Sequence, residues 1–447
     1  MEGISLYNYR IWNACSRVFL MKVAIKIPLR VSEHDVAVLD SQSRIANWLY
    51  NHLLEQANAL RKQYRETQDK EVGKILYTER GMRNLIPSLK GQHPFLKTVY
   101  SSVLKNAALR LSKAIRDYQD GQHGRRANIV NWPRFRAWKR NWFSLQYDEP
   151  SKGYRLTGRA LTLVLGQDEA GNQLKIELEL AEALPDWVKH KDIRQCRIVK
   201  EGQIYSVVFS VERKLPGDKP LSPTRVVALD PNHKNFAYAV GTDGAATEIQ
   251  NPYFLKGYDK RLDQIKSKRD KCQKKSRLIT RPDGSQFWLP SKRWLMLNAR
   301  LQNVLRERRE QTKQFLYTVA NKLYHEYDAV GVGDYVPHGG GITRKMRRAM
   351  NNRSLNRRFK QVLSWVALRS GKQYLEWAEG GSTRTCHDCG FVVEGGIPVD
   401  VREWDCPGPE CTSHHIRDEN AARNGLTRTL KALALPCSGR REVSSRR

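Results

Sequence analysis

"VVALDPNHKNFAYAVG", residues 226–241, decides how the second half of the chain is read. Val226 to Leu229 form a short, wholly apolar run that ends in Asp230. A turn signal at "PNHK" separates this run from a second one, "NFAYAVG" (235–241). After "TDG" a third run, "ATEIQ" (246–250), completes an expected three-strand meander. A carboxylate at the mouth of a buried strand is costly to ionise unless a cation or metal compensates it. Taken alone, Asp230 would be an ordinary turn aspartate.

The elements downstream give Asp230 its weight. Helices are expected on both sides of "RPDGSQ" (281–286), the second over about 292–327. A strand then ends in "GVGDYVP" (331–337), followed by a helix around 356–372 and a strand "QYLEWAE" (373–379). A cysteine cluster and a helix opening at "RDENAARNGL" (417–426) close the series. Three strands, helix, strand, helix, strand, helix is the order of a ribonuclease-H-like α/β fold. Such a sheet brings its first strand and its last helix together, and with them Asp230 and Asp418. Alone, Asp418 would be a helix N-cap. As a set, such carboxylates suit two-metal phosphodiester cleavage, in which two ions sit about 3.5–4 Å apart.

Upstream, residues 22–30 read as a strand, 36–121 as mostly helical, and 140–213 as strands, with "RKLPGDKPLSPT" (213–224) as a linker. A β-barrel-like unit with a helical insertion is expected. The expected division is 1–35 (an extension ahead of Met21, then the first strand), 36–130 (helical lobe), 131–215 (barrel), 216–383 (first part of the α/β domain), 384–413 (cysteine cluster) and 414–447 (last helix and basic tail).

The chain has 447 residues with 78 Lys+Arg against 46 Asp+Glu, a formal charge of +32. Such an excess favours a polyanionic partner. Basic residues recur beside aromatics in "NWPRFRAWKRNWF" (131–143), the mixture that phosphate contact and base stacking use. Arg134, Arg136 and Lys139 are candidates there. The segment "GGGITRKMRRAMNNRSLNRRF" (339–359) adds Arg344, Arg347, Arg348, Arg357 and Arg358 and reads as a loop along nucleic acid. No run reaches about 18 apolar residues, so no membrane span is expected. A cytoplasmic, nucleoid-associated protein is expected, a monomer rather than a dimer.

Cys15, Cys196, Cys272 and Cys437 are scattered, whereas Cys386, Cys389, Cys406 and Cys411 form C-x2-C and C-x4-C pairs sixteen residues apart. Two knuckles at that spacing can present four thiolates tetrahedrally to one structural Zn2+. The second knuckle is long, which leaves His414 or His415 as an alternative fourth ligand.

"VVALDPNHKNFAYAVGTDG", the paired cysteines and "RDENAARNG" together resemble the TnpB family, transposon-encoded RNA-guided nucleases to which compact type V CRISPR effectors are similar. "NWPRFRAWKR", "YSVVFSVERK" and "NRRFKQVLSWVALRSGKQ" fit the same family. The likeness is strong over about 200–425 and weaker over 22–200. It implies a multidomain α/β protein. A RuvC nuclease domain would carry a zinc ribbon insertion, and an N-terminal wedge-type β-barrel would carry an inserted helical recognition lobe. It further implies a guide RNA, a target double-stranded DNA read next to a short motif, and two catalytic Mg2+.

Most members of the family carry Glu at the position of Gly333, with an acidic residue after it that aligns with Asp334. Adjacent strand residues face opposite ways, so a one-residue shift aims Asp334 away from the metals. Some members instead place a Glu seven residues before the first zinc cysteine, which here is Glu379. The resemblance therefore implies Asp230, Glu379 and Asp418 as the Mg2+ ligands, with Glu376 a poorer candidate in mid-strand. Two other readings stand beside a guided nuclease: a nuclease-inactive RNA-guided DNA-binding repressor, and a zinc-ribbon DNA-binding accessory protein that needs no guide.

Overall fold

The computed structural model describes residues 20–138, 142–215, 223–232, 235–280, 286–334, 354–398 and 400–434. Lys139, Arg344, Arg347 and Arg348 lie outside these, as do the extension ahead of Leu20 and the basic tail. The chain divides into two compact units, Met21–Arg213 with Leu295–Asn303, and Met1–Leu20 with Lys214–Trp294 and Val304–Arg447.

The first of these units holds a seven-stranded sheet. Its strands are β1 (Leu20–Arg30), β2 (Trp142–Tyr147), β3 (Tyr154–Thr157), β4 (Ala160–Gln167), β5 (Gln173–Leu180), β6 (Ile193–Glu201) and β7 (Ile204–Lys214), in the order β2-β6-β7-β1-β5-β4-β3. Between β1 and β2 come α1 (Glu33–Thr67), α2 (Lys70–Tyr77), α3 (Gly81–Asn84), α4 (Ile86–Gln92) and α5 (Ser101–Gln122). Ser32 and Asp35 form a capping box that starts the 35-residue α1, satisfying donors the helix cannot. One core joins helices and sheet, with Leu39, Leu53 and Leu104 from the helices beside Tyr147, Leu163 and Phe209 from the strands.

In the other unit the expected meander is present as β8 (Val226–Pro231), β9 (Ala237–Gly241) and β10 (Ala246–Ile249). Then follow α6 (Phe254–Lys271), β11 (Arg277–Thr280), β12 (Gln286–Leu289), α7 (Lys292–Glu326, whose stretch Leu295–Asn303 counts with the first unit), β13 (Ala329–Gly333), α8 (Asn356–Ser370), β14 (Gln373–Trp377), β15 (Glu403–Asp405), β16 (His414–Ile416) and α9 (Arg417–Ala434). The main sheet runs β10-β9-β8-β13-β14, with β8, β13 and β14 parallel. The flanks of the 281–286 turn are a two-stranded hairpin, β11 with β12, rather than helix ends.

Strand alternation then decides what each face does. Val227, Leu229, Val330 and Val332 pack into a core with Leu323 of α7 and Phe359, Leu363 and Val366 of α8. The alternate residues face α9. Gly331 lies against Thr429, and Gly425 lies against the buried Trp377 of β14. A Cβ at either glycine would overlap its neighbour, so the helix approaches the sheet closely because these positions carry no side chain. Asp230 belongs to this α9-facing row, one residue after Leu229. Among the described residues no helix is long and apolar enough to cross a membrane.

Candidate metal centres and nucleic-acid contacts

Asp230 sits at the end of β8 and is 7% exposed. Burial pushes its carboxyl well above the usual range, and the nearby Glu379 and Asp418 carboxylates push it the same way. Arg417 opposes them. The three acidic residues expected as one set are thus electrostatic neighbours, brought from β8, from the chain just past β14, and from the first turn of α9.

Gly333 explains how Glu379 reaches this place. The register pairs Gly333 with Trp377, so Glu379 lies two residues beyond the last paired residue of β14. Its side chain folds back over Gly333. A Cβ placed there would overlap Glu379 Oε1 and lie 2.7 Å from its Cγ and Cδ. The carboxylate fills the space that a side chain at 333 would occupy. Asp334 takes no such position, because its Oδ1 accepts a hydrogen bond from the Glu379 backbone N–H at 3.0 Å. Glu376 is spent on Lys360 (3.0 Å) and Tyr374 (2.8 Å).

Asp418 is held from two sides. Its Oδ2 accepts from Asn232 Nδ2 at 2.6 Å and faces Arg402 Nη1 at 3.4 Å. Among the described residues, only the four cysteines and the set Cys386, Asp388 and His415 bring all their donor atoms within 4.8 Å of one another. The carboxylate trio is more open than that. Its donors are hard oxygens, one of them buried, which suits Mg2+.

Cys386 Sγ lies 3.9 Å from Cys411 Sγ, and Cys389 Sγ lies 3.6 Å from Cys406 Sγ. A Zn–S bond of about 2.3 Å in a tetrahedron puts sulfurs roughly 3.8 Å apart. The four-cysteine cluster therefore fits a zinc ion. His414 pairs instead with Asp405 at 2.8 Å. His415 is buried, with Nε2 3.1 Å from Cys386 Sγ, and its ring packs on Trp404. It is a neighbour of the thiolates, placed to hydrogen-bond one of them.

The knuckle is anchored on α9. Asn420 is 1% exposed; it accepts from the His387 N–H (3.0 Å) and donates to the carbonyls of Ser382 (3.2 Å) and Thr385 (2.8 Å). Asn424 donates to the same two carbonyls at 2.9 and 2.8 Å. Sequence reasoning singled out only Asp418 in this helix, although the i, i+4 spacing of the two asparagines was a signal of a shared face.

The aromatic and basic segment 131–138 is strapped onto α1. Trp132 donates to Asn58 (2.8 Å) beneath the Arg61 guanidinium, and Trp138 donates to Ser43 (2.9 Å) beneath Arg44. Arg136 lies over Tyr50 at 3.7 Å, and its backbone is held by Asn47 and Asn51. Trp132 and Trp138 are therefore used internally, while Arg134, Phe135 and Trp142 remain exposed, Phe135 by 61% and Trp142 by 47%. Arg357 and Arg358 are exposed in the first turn of α8.

A family model described as the TNB domain of Cas12f1-like proteins matches residues 357–425, which contain all but the first residue of α8, Glu379, the cysteine cluster and Asp418. No curated protein matches the sequence. Among solved structures, the Cas12f1–sgRNA–target DNA complex matches with a TM-score of 0.52 and 11% identity, covering 88% of this chain and 82% of that one. CasPhi-2 (Cas12j) bound to crRNA matches with a TM-score of 0.37 and 11% identity, covering 91% of this chain and 97% of that one. The chain is therefore similar in fold to Cas12f1, and over residues 357–425 to the TNB domain of Cas12f1-like proteins.

Proposed function

We propose that the protein is a compact RNA-guided DNA endonuclease. On this reading the unit holding β8, β13, β14 and α9 is a ribonuclease-H-like RuvC nuclease with a zinc ribbon inserted before α9. The seven-stranded sheet and α1–α5 are the wedge and the helical recognition lobe. The partners are a structured guide RNA and double-stranded target DNA. Sequence is read by RNA–DNA pairing while the protein holds the backbones and checks a short motif.

One observation carries the reading: Glu379 lies over Gly333, beside Asp230 and Asp418. Asp230, Glu379 and Asp418 would hold two Mg2+, which supply an activated water and stabilise the leaving oxygen. The chain's own residues set up that site. Burial of Asp230 excludes water from one side, Asn232 and Arg402 orient Asp418, and Gly333 leaves room for Glu379. The four cysteines would hold one Zn2+ and fix the segment between Glu379 and α9.

Glu379→Gln tests this. The amide keeps the size and removes the charge, so guided cleavage in Mg2+ should fall by at least about a hundredfold, the scale on which one preorganised electrostatic group acts. Guide RNA and target binding should be retained. A Glu379→Gln protein that cuts like the wild type would remove Glu379 from the site. A wild type that binds its guided target and does not cut it in Mg2+ or Mn2+ would leave the guided-repressor reading in its place.

A further inference from the structure

Glu379 stands outside any ladder, since β14 ends at Trp377. Its carbonyl accepts the Ser382 N–H at 2.9 Å within its own loop, and the direction of its side chain depends on what else holds its peptide. Two side chains from other elements do so. From the end of β13, Asp334 accepts the Glu379 N–H at 3.0 Å, while its own N–H donates to the Trp377 carbonyl at 2.9 Å. From α9, Arg428 donates through Nη1 to the carbonyls of Ala378 and Gly380, the second at 3.1 Å. The residues before and after Glu379 are thereby tied to the helix that carries Asp418. Arg428 continues the row begun by Asn420 and Asn424, at i, i+4 and i+8, so one face of α9 grips the backbone from 378 to 387.

We propose that Asp334 and Arg428 are positioning residues for Glu379. They hold its peptide from both sides, so that its carboxylate lies over Gly333 and meets Asp230 and Asp418. This rests on the reading of Glu379 as a metal-binding carboxylate. Asp334 acts as a hydrogen-bond acceptor, not as a ligand. An asparagine there still offers Oδ1 to the Glu379 N–H, and an alanine offers nothing. At 428, lysine keeps a donor and methionine keeps only the stem.

The test uses the full-length protein with its guide RNA. Two quantities are read: hydrogen exchange of the Glu379 amide, in a peptide that begins at least three residues before it, and the Mg2+ concentration giving half-maximal cleavage. In Asp334→Ala the amide should exchange faster and the Mg2+ requirement should rise about 10–100-fold, the usual consequence of losing a group that orients a metal ligand. Asp334→Asn should restore both. Arg428→Met should act as Asp334→Ala does and Arg428→Lys should recover part of the loss, an independent route if one alanine variant fails to fold. Zinc content should stay unchanged in all four.

Wild-type exchange and Mg2+ requirement in both Asp334→Ala and Arg428→Met would overturn the assignment. Equal inactivity of Asp334→Asn and Asp334→Ala would overturn it too, since the charge of Asp334 would then belong to the metal site. Glu379→Gln measured in parallel separates the two levels. If that variant is dead while the positioning variants behave as wild type, only positioning falls. If it cuts normally, the Glu379 reading falls and positioning falls with it.

Discussion

At the scale of single residues, Asp230 shows a site built against stability. Burial and two neighbouring carboxylates hold its carboxyl well above the ordinary range. A group whose folded pKa exceeds its unfolded one stabilises fully below the unfolded value, about 3.9 for aspartate, and that contribution is lost as pH rises through the folded value. Without added Mg2+ the protein should therefore lose stability between about pH 4 and the raised folded value. Asp230→Asn removes the charge and keeps the shape, so at neutral pH it should melt higher than the wild type while failing to cleave. Thermal unfolding of both proteins, zinc-loaded and free of Mg2+, across that pH range reads this directly. A variant that melts lower at pH 7 would mean that Arg417 offsets the burial. That Asp230 and Asp418 lie near each other was legible in the sequence, not from either residue alone but from the order of elements that brings the end of one strand to the start of the last helix. The place of Glu379 was open to inference only through resemblance. Its physical reason, a carboxylate lying in the space left by Gly333, depends on strand register, which no local pattern prints.

At the scale of elements, the cysteine knuckles and α9 form one construction. The spacing of Cys386, Cys389, Cys406 and Cys411 announced four thiolates, and the structure gathers them within 4.8 Å. The cluster's buried core is little more than Cys386, Cys406 and Trp404, so its folding should depend on the metal. Metal analysis should find one zinc per chain, and Cys389→Ser should lose it. A full zinc complement in that variant would refute the assignment. Through Asn420 and Asn424 the loss should spread to segment 382–387, so the same variant should also show faster amide exchange there. The hairpin of β11 and β12 was missed for an opposite reason. "RLIT" and "QFWL" are four residues each, too short to show a period, and helical runs on both sides outweighed them. The strap at 131–138 also has a packing role that its sequence does not show. Its composition suits nucleic acid, yet Asn47, Asn51, Ser43 and Asn58 along α1 supply partners that composition cannot reveal.

At the scale of the whole molecule, charge is the property that sequence states most directly and that folding alters least. A formal +32 on 447 residues is unfavourable for a compact chain by itself, since like charges repel. Arg134, Arg357 and Arg358 stand exposed, consistent with cations left available to a polyanion. If that polyanion is a guide RNA and its DNA target, the protein should purify with RNA. Its affinity for a guided duplex should also fall steeply with salt. Neutralising about 6–10 phosphates corresponds to a loss of roughly 10³–10⁵ between 50 and 200 mM salt. Substituting Arg134, Arg357 and Arg358 together by Gln should reduce the slope of log affinity against log salt by about 0.9 for each cation that contacts duplex phosphate, whatever the target sequence. Arg136→Gln should behave differently, because its guanidinium rests on Tyr50. It should loosen the strap on α1 and lower thermal stability, with little change in the salt slope. An RNA-free preparation that binds DNA with a flat salt response would count against both guided readings, since an excess charge that releases no counterions holds no nucleic acid backbone.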